Sequence, residues 1–227
     1  MRVKVYYVLI TCLFFLYNVS TNAQEKINKF DLNGKRDGIW KKYYPNNNIR
    51  YQGTFKAGKE VGVFKYYDIT NATQPTIIKT FKPNSSLATV NFYTVKGILK
   101  STGTMDGKKR IGTWLYYYPN GKTLMIEENY KNNELEGSYK SYYRTGKISE
   151  LLNYTSGKLN GNIKRYADNG VLLEDLNYIN GNLNGPAIYY AGNGKIISSG
   201  NYKNNERVGT WVVNEEDIQK KSNNLKQ

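Results

Sequence analysis

The chain of 227 residues has no histidine and one cysteine, Cys12. Without imidazole it lacks the usual general base near neutrality and the commonest metal ligand. A lone thiol cannot close an intrachain disulfide, and the 204 residues after Ala23 contain no thiol at all. Carboxylates are few and scattered. The adjacent pairs Glu127-Glu128 and Glu215-Glu216 form no dyad by themselves, since neighbours in a strand point to opposite faces. Gly121-Lys122-Thr123 echoes the end of a phosphate loop, but Tyr116 stands where that loop needs its first glycine. With these constellations missing, the expectation is a non-catalytic protein with no catalytic residues, no metal and no cofactor.

Long apolar runs are missing too. The longest, the thirteen residues Val5 to Tyr17, is too short to span a bilayer as a helix. Arg2 and Lys4 precede it and Thr21-Asn22-Ala23 follows it, so residues 1–23 read as a secretory signal peptide with a small-residue cleavage site. Leu9-Ile10-Thr11-Cys12 is a poor lipobox, with threonine where a small residue belongs. Export is therefore expected, to a periplasmic, envelope-associated or secreted location. Losing Arg2 and Lys4 from 33 basic residues leaves 31 against 18 acids, a net of +13. So basic a chain favours anionic partners such as phospholipid headgroups or acidic glycans, while export argues against nucleic acid. Lysines that solvate a sheet and blunt its edges account for the same charge.

From residue 24 to 213 the chain is a tandem repeat. Units begin at Gly38, Gly62, Ala88, Gly112, Gly137, Gly161, Gly185 and Gly209, 24 to 26 residues apart, a period that marks a repeat array. With the leading residue as position 0, position 2 is mostly large and apolar: Trp40, Phe64, Val90, Trp114, Tyr139, Ile163, Ala187 and Trp211. Position 5 is tyrosine in all seven full units. Positions 8 and 9 are Asn120-Gly121, Asn169-Gly170 and Asn193-Gly194, with variants elsewhere. Asn-Gly predicts a two-residue type I′ hairpin turn. Facing positions then sum to 17, and two unlike sheet faces follow. The apolar face carries position 2, and an aromatic at position 17 lies across from each leading glycine, as Tyr154 does from Gly137. Its ring is expected to cover the bare glycine backbone.

Lys26 to Leu32 reads as the second strand of a half unit. In the Gly62 unit, Asp68 to Thr76 reads as a longer polar loop containing Pro75, and residues 214–227 as a polar tail or a cap. The segments DGIWKKYYPNNN (Asp37 to Asn48), IGTWLYYYPNGK (Ile111 to Lys122) and NGPAIYYAGNGK (Asn184 to Lys195) resemble the MORN repeat family, in the variant form found in YwqK-type antitoxin proteins. The resemblance implies an all-β fold: an elongated, single-layer antiparallel β-meander of ~24-residue hairpin repeats. It also implies a role in interaction or membrane association, with no catalytic residues, and its naming suggests toxin neutralisation.

The leading expectation is an interaction scaffold at the cell envelope that binds a protein partner. The alternative is binding of anionic lipid or acidic glycan on the polar face, where positions 3 and 5 place Lys41, Tyr43, Lys65, Tyr67, Tyr93, Tyr117, Lys140, Tyr142, Lys164, Tyr166 and Tyr190. Position 12, Arg50 and Lys100 among them, is expected across from the tyrosine. Tyrosine also recurs in strands for propensity and packing alone. About sixteen strands at the usual spacing make a rod ~75 Å long.

Overall fold

The computed structural model describes residues 26–214; the expected leader and the tail beyond Asn214 lie outside the described residues. The regular elements among them are all strands: β1 Lys29–Phe30, β2 Arg36–Tyr43, β3 Ile49–Lys56, β4 Lys59–Asp68, β5 Asn71–Phe81, β6 Leu87–Tyr93, β7 Leu99–Asp106, β8 Lys109–Tyr117, β9 Leu124–Lys131, β10 Glu134–Leu135, β11 Gly137–Tyr142, β12 Ile148–Thr155, β13 Lys158–Leu159, β14 Gly161–Tyr166, β15 Leu172–Ile179, β16 Asn182–Tyr190, β17 Ile196–Lys203 and β18 Glu206–Val213. Every pairing is antiparallel and joins neighbours along the chain, from β1–β2 to β17–β18. The result is the expected single-layer meander. β10 and β11 both pair with β9, and β13 and β14 both with β12. Each couple is one strand broken at the residue before a leading glycine, Glu136 or Asn160, so the sheet has sixteen strand positions.

The hairpin inside a unit differs from the expected one. In the Gly137 unit the Gly146 N–H donates to the Tyr143 carbonyl (2.9 Å) and the Tyr143 N–H to the Lys147 carbonyl (2.8 Å). That leaves a three-residue loop in which only Gly146 has positive φ, 84°, the arrangement of a type I turn closed by a left-handed glycine. Asn120, Asn169 and Asn193 are likewise not left-handed; only the glycines after them are. The asparagines act through their side chains. Asn169 Oδ1 accepts the Val171 N–H and Asn193 Oδ1 the Lys195 N–H, both at 3.0 Å, an Asx turn. The paired positive φ angles of type I′ turns occur between units instead, at Ala57-Gly58, Asn132-Asn133, Ser156-Gly157, Asn180-Gly181 and Asn204-Asn205.

An odd loop shifts the register by one residue, and a bulge shifts it back. Tyr142 faces Ile148 while Ser141 faces Glu150, leaving Ser149 unpaired. Beyond this bulge the expected pairs hold, Tyr139 with Leu152 and Gly137 with Tyr154. Arg50, Lys100, Leu173 and Ile197 are bulged in the same way, as is Met125 after a one-residue insertion. Position 12 therefore does not face the tyrosine: Tyr43 faces Ile49 and Tyr93 faces Leu99.

A second bulge sits at the leading glycine. Between β7 and β8, Thr104 faces Ile111 but Thr102 faces Leu115, with Gly112 in the shift at φ +61°. Gly112 pairs with Tyr130, yet a Cβ built on it meets no atom within 4 Å, and the same is true of Gly137. The expected ring over the leading glycine is therefore absent, and the position requires the left-handed backbone. The glycines that rings do cover are at position 15: Gly53 beneath Phe64, Gly103 beneath Trp114 and Gly200 beneath Trp211.

Two local expectations are corrected. Asp68 pairs with Asn71 and Tyr67 with Pro75, so Asp68 to Thr76 is an extended hairpin rather than a loop. Register shifts on both sides of Tyr67 absorb the extra residues and give Pro75 a place where the ladder is already broken. In the half unit only Lys29 and Phe30 are strand. Asn28, at φ 60°, still donates its N–H to the Ile39 carbonyl at 2.8 Å, and its Oδ1 accepts the Lys41 N–H at 2.8 Å.

Candidate functional site

The polar face carries the expected lysines and tyrosines, and two of its four lysines are tied to carboxylates. Lys140 Nζ lies 2.9 Å from Glu127 Oε1, and Lys164 Nζ 2.7 Å from Asp175 Oδ2. Its hydrogen bond to Glu127 and that residue's charge push Lys140 above its ordinary pKa, and the hydrogen bond that Lys164 donates to Asp175 does the same to Lys164. Lys41 and Lys65 face Gln52 from β2 and β4. Tyr43 is 48% exposed and Tyr67 only 8%, its hydroxyl accepting from Gln52 Nε2 at 2.8 Å. Tyr93, Tyr117, Tyr142, Tyr166 and Tyr190 are half-buried.

The carbonyls of these tyrosines have a structural use. The position 6 hydroxyls of Tyr44, Tyr118 and Tyr143 donate to the carbonyls of Tyr67, Tyr142 and Tyr166, one unit further on, at 2.9, 2.7 and 2.7 Å. Three pairs of successive units are thus stapled beside their hairpin loops, while Ala167 and Ala191 take the place of that tyrosine in the Gly161 and Gly185 units.

The opposite face holds the core, in three clusters around Trp40, Phe55 and Phe64; around Val90, Trp114 and Tyr130; and around Leu152, Ile163 and Leu176. At four unit boundaries positions 15 and 2 have complementary sizes, while Leu152 and Ile163 are both large. Glycine receives a large ring at Gly53 with Phe64, Gly103 with Trp114 and Gly200 with Trp211, whereas Leu176 receives Ala187. Each tryptophan also has an arginine over it. Arg36 stands 4.9 Å from the Trp40 ring, Arg110 6.0 Å from Trp114 and 3.9 Å from Tyr130, and Arg207 4.1 Å from Trp211. These are cation–π contacts. Their signal is legible as R-x-G-x-W at Arg36 to Trp40, Arg110 to Trp114 and Arg207 to Trp211, a pattern that reading from the leading glycine passes over.

On this face, across the Ala88 and Gly112 units, lies a groove of about 920 Å³. Phe92, Met105, Trp114, Tyr116 and Met125 form its apolar part, and Ile98, Leu99, Tyr118 and Pro119 flank them toward the hairpin loops. Lys96, Lys100, Lys108 and Arg110 are its charged lining residues, and no carboxylate is among the lining. Lys100 and Met125 are both bulged residues, and a bulge re-aims a side chain. Arg110 is already engaged, donating to the hydroxyls of Tyr130 (2.7 Å) and Tyr116 (3.2 Å). Tyr130 in turn donates to Glu128 at 2.6 Å, and burial and that bond raise its pKa well above the ordinary value. In the next units the same face is closed differently: Arg165 bridges Glu150 at 2.9 Å and Glu174 at 2.5 Å. Sequence reasoning did not single out this groove, because it depends on which rings the bulges bring together.

The model of the MORN repeat variant matches residues 36–57, 110–132, 135–156, 159–180 and 183–204. The chain belongs to the MORN repeat-variant family. Its matched repeats are the units led by Gly38, Gly112, Gly137, Gly161 and Gly185, and of these the first three carry the position 6 tyrosine whose hydroxyl staples the next unit. No protein of curated function matches the sequence. Among solved structures, a chain of the Glycosylation Associate Protein (Gap123) complex from Streptococcus agalactiae is similar at 17% identity and a TM-score of 0.28, over 48% of this MORN-variant chain and 20% of that one. The likeness thus spans about a fifth of that chain's length.

Proposed function

We propose that this MORN-variant protein is an exported, non-catalytic interaction scaffold of the cell envelope, and that it holds a partner protein on its aromatic face over Phe92, Tyr116 and Met125. The groove carries this reading: it is a concave, mainly aromatic and thioether surface with a polar rim, the composition of a protein-binding hot spot. Both methionines outside the leader, Met105 and Met125, line it, and methionine adapts to irregular partner surfaces. The leader-like residues 1–23 support export, and the family's binding role supports a scaffold. Binding of anionic lipid or glycan along the lysine–tyrosine face has less support, because Lys140 and Lys164 are already matched to carboxylates. Toxin neutralisation rests on the resemblance alone.

The test is capture from envelope extract with three proteins: wild type, Phe92→Ala/Met125→Ala, and Lys140→Glu/Lys164→Glu. A defined protein retained by the wild type and the lysine variant but lost by the groove variant is the expected result. The reverse pattern, with lipid or polysaccharide in the eluate, contradicts it.

A further inference from the structure

Resting on that reading, we propose that the groove over the Ala88 and Gly112 units takes an acidic segment in extended conformation, about eight residues long, with alternate apolar side chains on the partly exposed floor of Phe92, Tyr116 and Met125 and carboxylates toward Lys96, Lys100 and Lys108.

The length follows from where the lining residues sit. Lys96 belongs to the hairpin loop between β6 and β7, and Lys108 to the turn between β7 and β8, so the groove runs the length of β7, from Leu99 to Asp106. Eight residues at ~3.3 Å each make about 26 Å, a span that one extended segment covers. The side chains of such a segment alternate, which suits a surface apolar along its floor and basic at its margins.

The charge follows from what the cations lack. Among the described residues the ion-paired cations are Lys79, Lys140, Lys164 and Arg165; Lys96, Lys100 and Lys108, like most lysines of the chain, are in none, and these three line one groove together. The three ammoniums are exposed, two near the hairpin-loop end of the groove and one at the other. With no carboxylate in the lining, their fields add over the groove. Complementarity of this kind selects an acidic partner and disfavours a basic one.

The experiment uses the chain from residue 24 and fluorescent octapeptides followed by anisotropy. One peptide alternates Glu or Asp with Leu or Phe; its control carries Gln and Asn in place of the acids. The acidic peptide is expected to bind about tenfold more tightly than the amide control at low salt, since three exposed pairs each contribute modestly. The preference should fade as salt rises. Lys96→Gln/Lys100→Gln/Lys108→Gln should abolish the preference, so that the acidic peptide binds no more tightly than the amide control, with the circular dichroism spectrum preserved. Equal binding of both peptides to the wild type overturns the acidic assignment and leaves the aromatic docking face standing. If neither peptide binds, this proposal falls, and the envelope capture decides separately whether the docking face falls with it. Binding to phosphatidylglycerol vesicles through the three lysines, without peptide binding, replaces the peptide by a lipid and also overturns it.

Discussion

The indole of Trp114 lies against the backbone of Gly103, filling the space that any side chain on that residue would occupy. Trp114 is 2% exposed in a sheet one layer thick, because its ring lies over the neighbouring strand rather than standing up from its own. Its Nε1–H donates to the Thr104 carbonyl at 3.2 Å, and Arg110 caps the other side. A thin sheet thereby buries large rings without a second layer. The stability of each unit is tied to the one before it, as in other repeat arrays.

That relationship gives a double-mutant cycle. Gly103→Ala forces the ring off the strand and is expected to cost about 1–3 kcal/mol, the range for overpacking. Trp114→Ala should cost about 3–5 kcal/mol, as for other buried aromatics. The double variant should cost less than the sum by about 1 kcal/mol or more, since the inserted methyl then enters vacated space. Denaturant unfolding of the four proteins measures this, and additive losses would show that ring and glycine do not share the space.

Gly112 makes the opposite demand. Nothing crowds its Cβ direction, but its φ is +61°. Gly112→Ala is expected to cost about 1–2 kcal/mol, the penalty of a left-handed residue. Gly112→Asn should cost clearly less, because asparagine tolerates that region. At Gly103 asparagine should be no better than alanine. Melting temperatures of the four variants check the contrast, and a Gly112→Asn protein as damaged as Gly112→Ala would remove the backbone explanation.

These two glycines also show how far the sequence could be read. The period, the apolar position 2 and the pairing of Gly137 with Tyr154 were legible, because they depend on spacing and alternation. The turn type was not. An Asn-Gly dipeptide suits either two left-handed residues or an Asx turn ending in one, and the bulge at Ser149 hides the difference by restoring the register. The role of the leading glycine was misjudged for a related reason: opposite does not mean beneath, and Tyr130 faces Gly112 without covering it. For the site, alternation placed Lys140 and Lys164 on the polar face. Their partners Glu127 and Asp175 lie on other strands, where only the register brings them within reach. The groove needed three-dimensional placement, since Phe92, Met105, Trp114 and Met125 come from four strands.

The ion pair between Lys164 and Asp175 sets an acid dependence. Burial raises the Asp175 pKa, but hydrogen bonds from Asn162 and Lys164 outweigh it and hold the carboxyl below its ordinary 3.8. A depressed folded value stabilises the protein above pH ~4, and that contribution is lost as pH falls through the folded value. Because both side chains are partly exposed, the effect is small, about 0–1 kcal/mol. Asp175→Asn is therefore expected to be slightly less stable than wild type at pH 6 and to match it near pH 2. A constant difference across that range, followed by chemical denaturation, would exclude titration of this group.

The assignment of the binding face is tested most directly by a photo-crosslinking amino acid placed at Met125 in the groove or at Tyr142 on the opposite face, in the chain expressed with its own residues 1–23 and irradiated in intact cells. The account predicts a discrete protein adduct from position 125, absent when Phe92→Ala is added, and none from position 142. An adduct from position 142 alone would contradict it and return the binding surface to the tyrosine ladder.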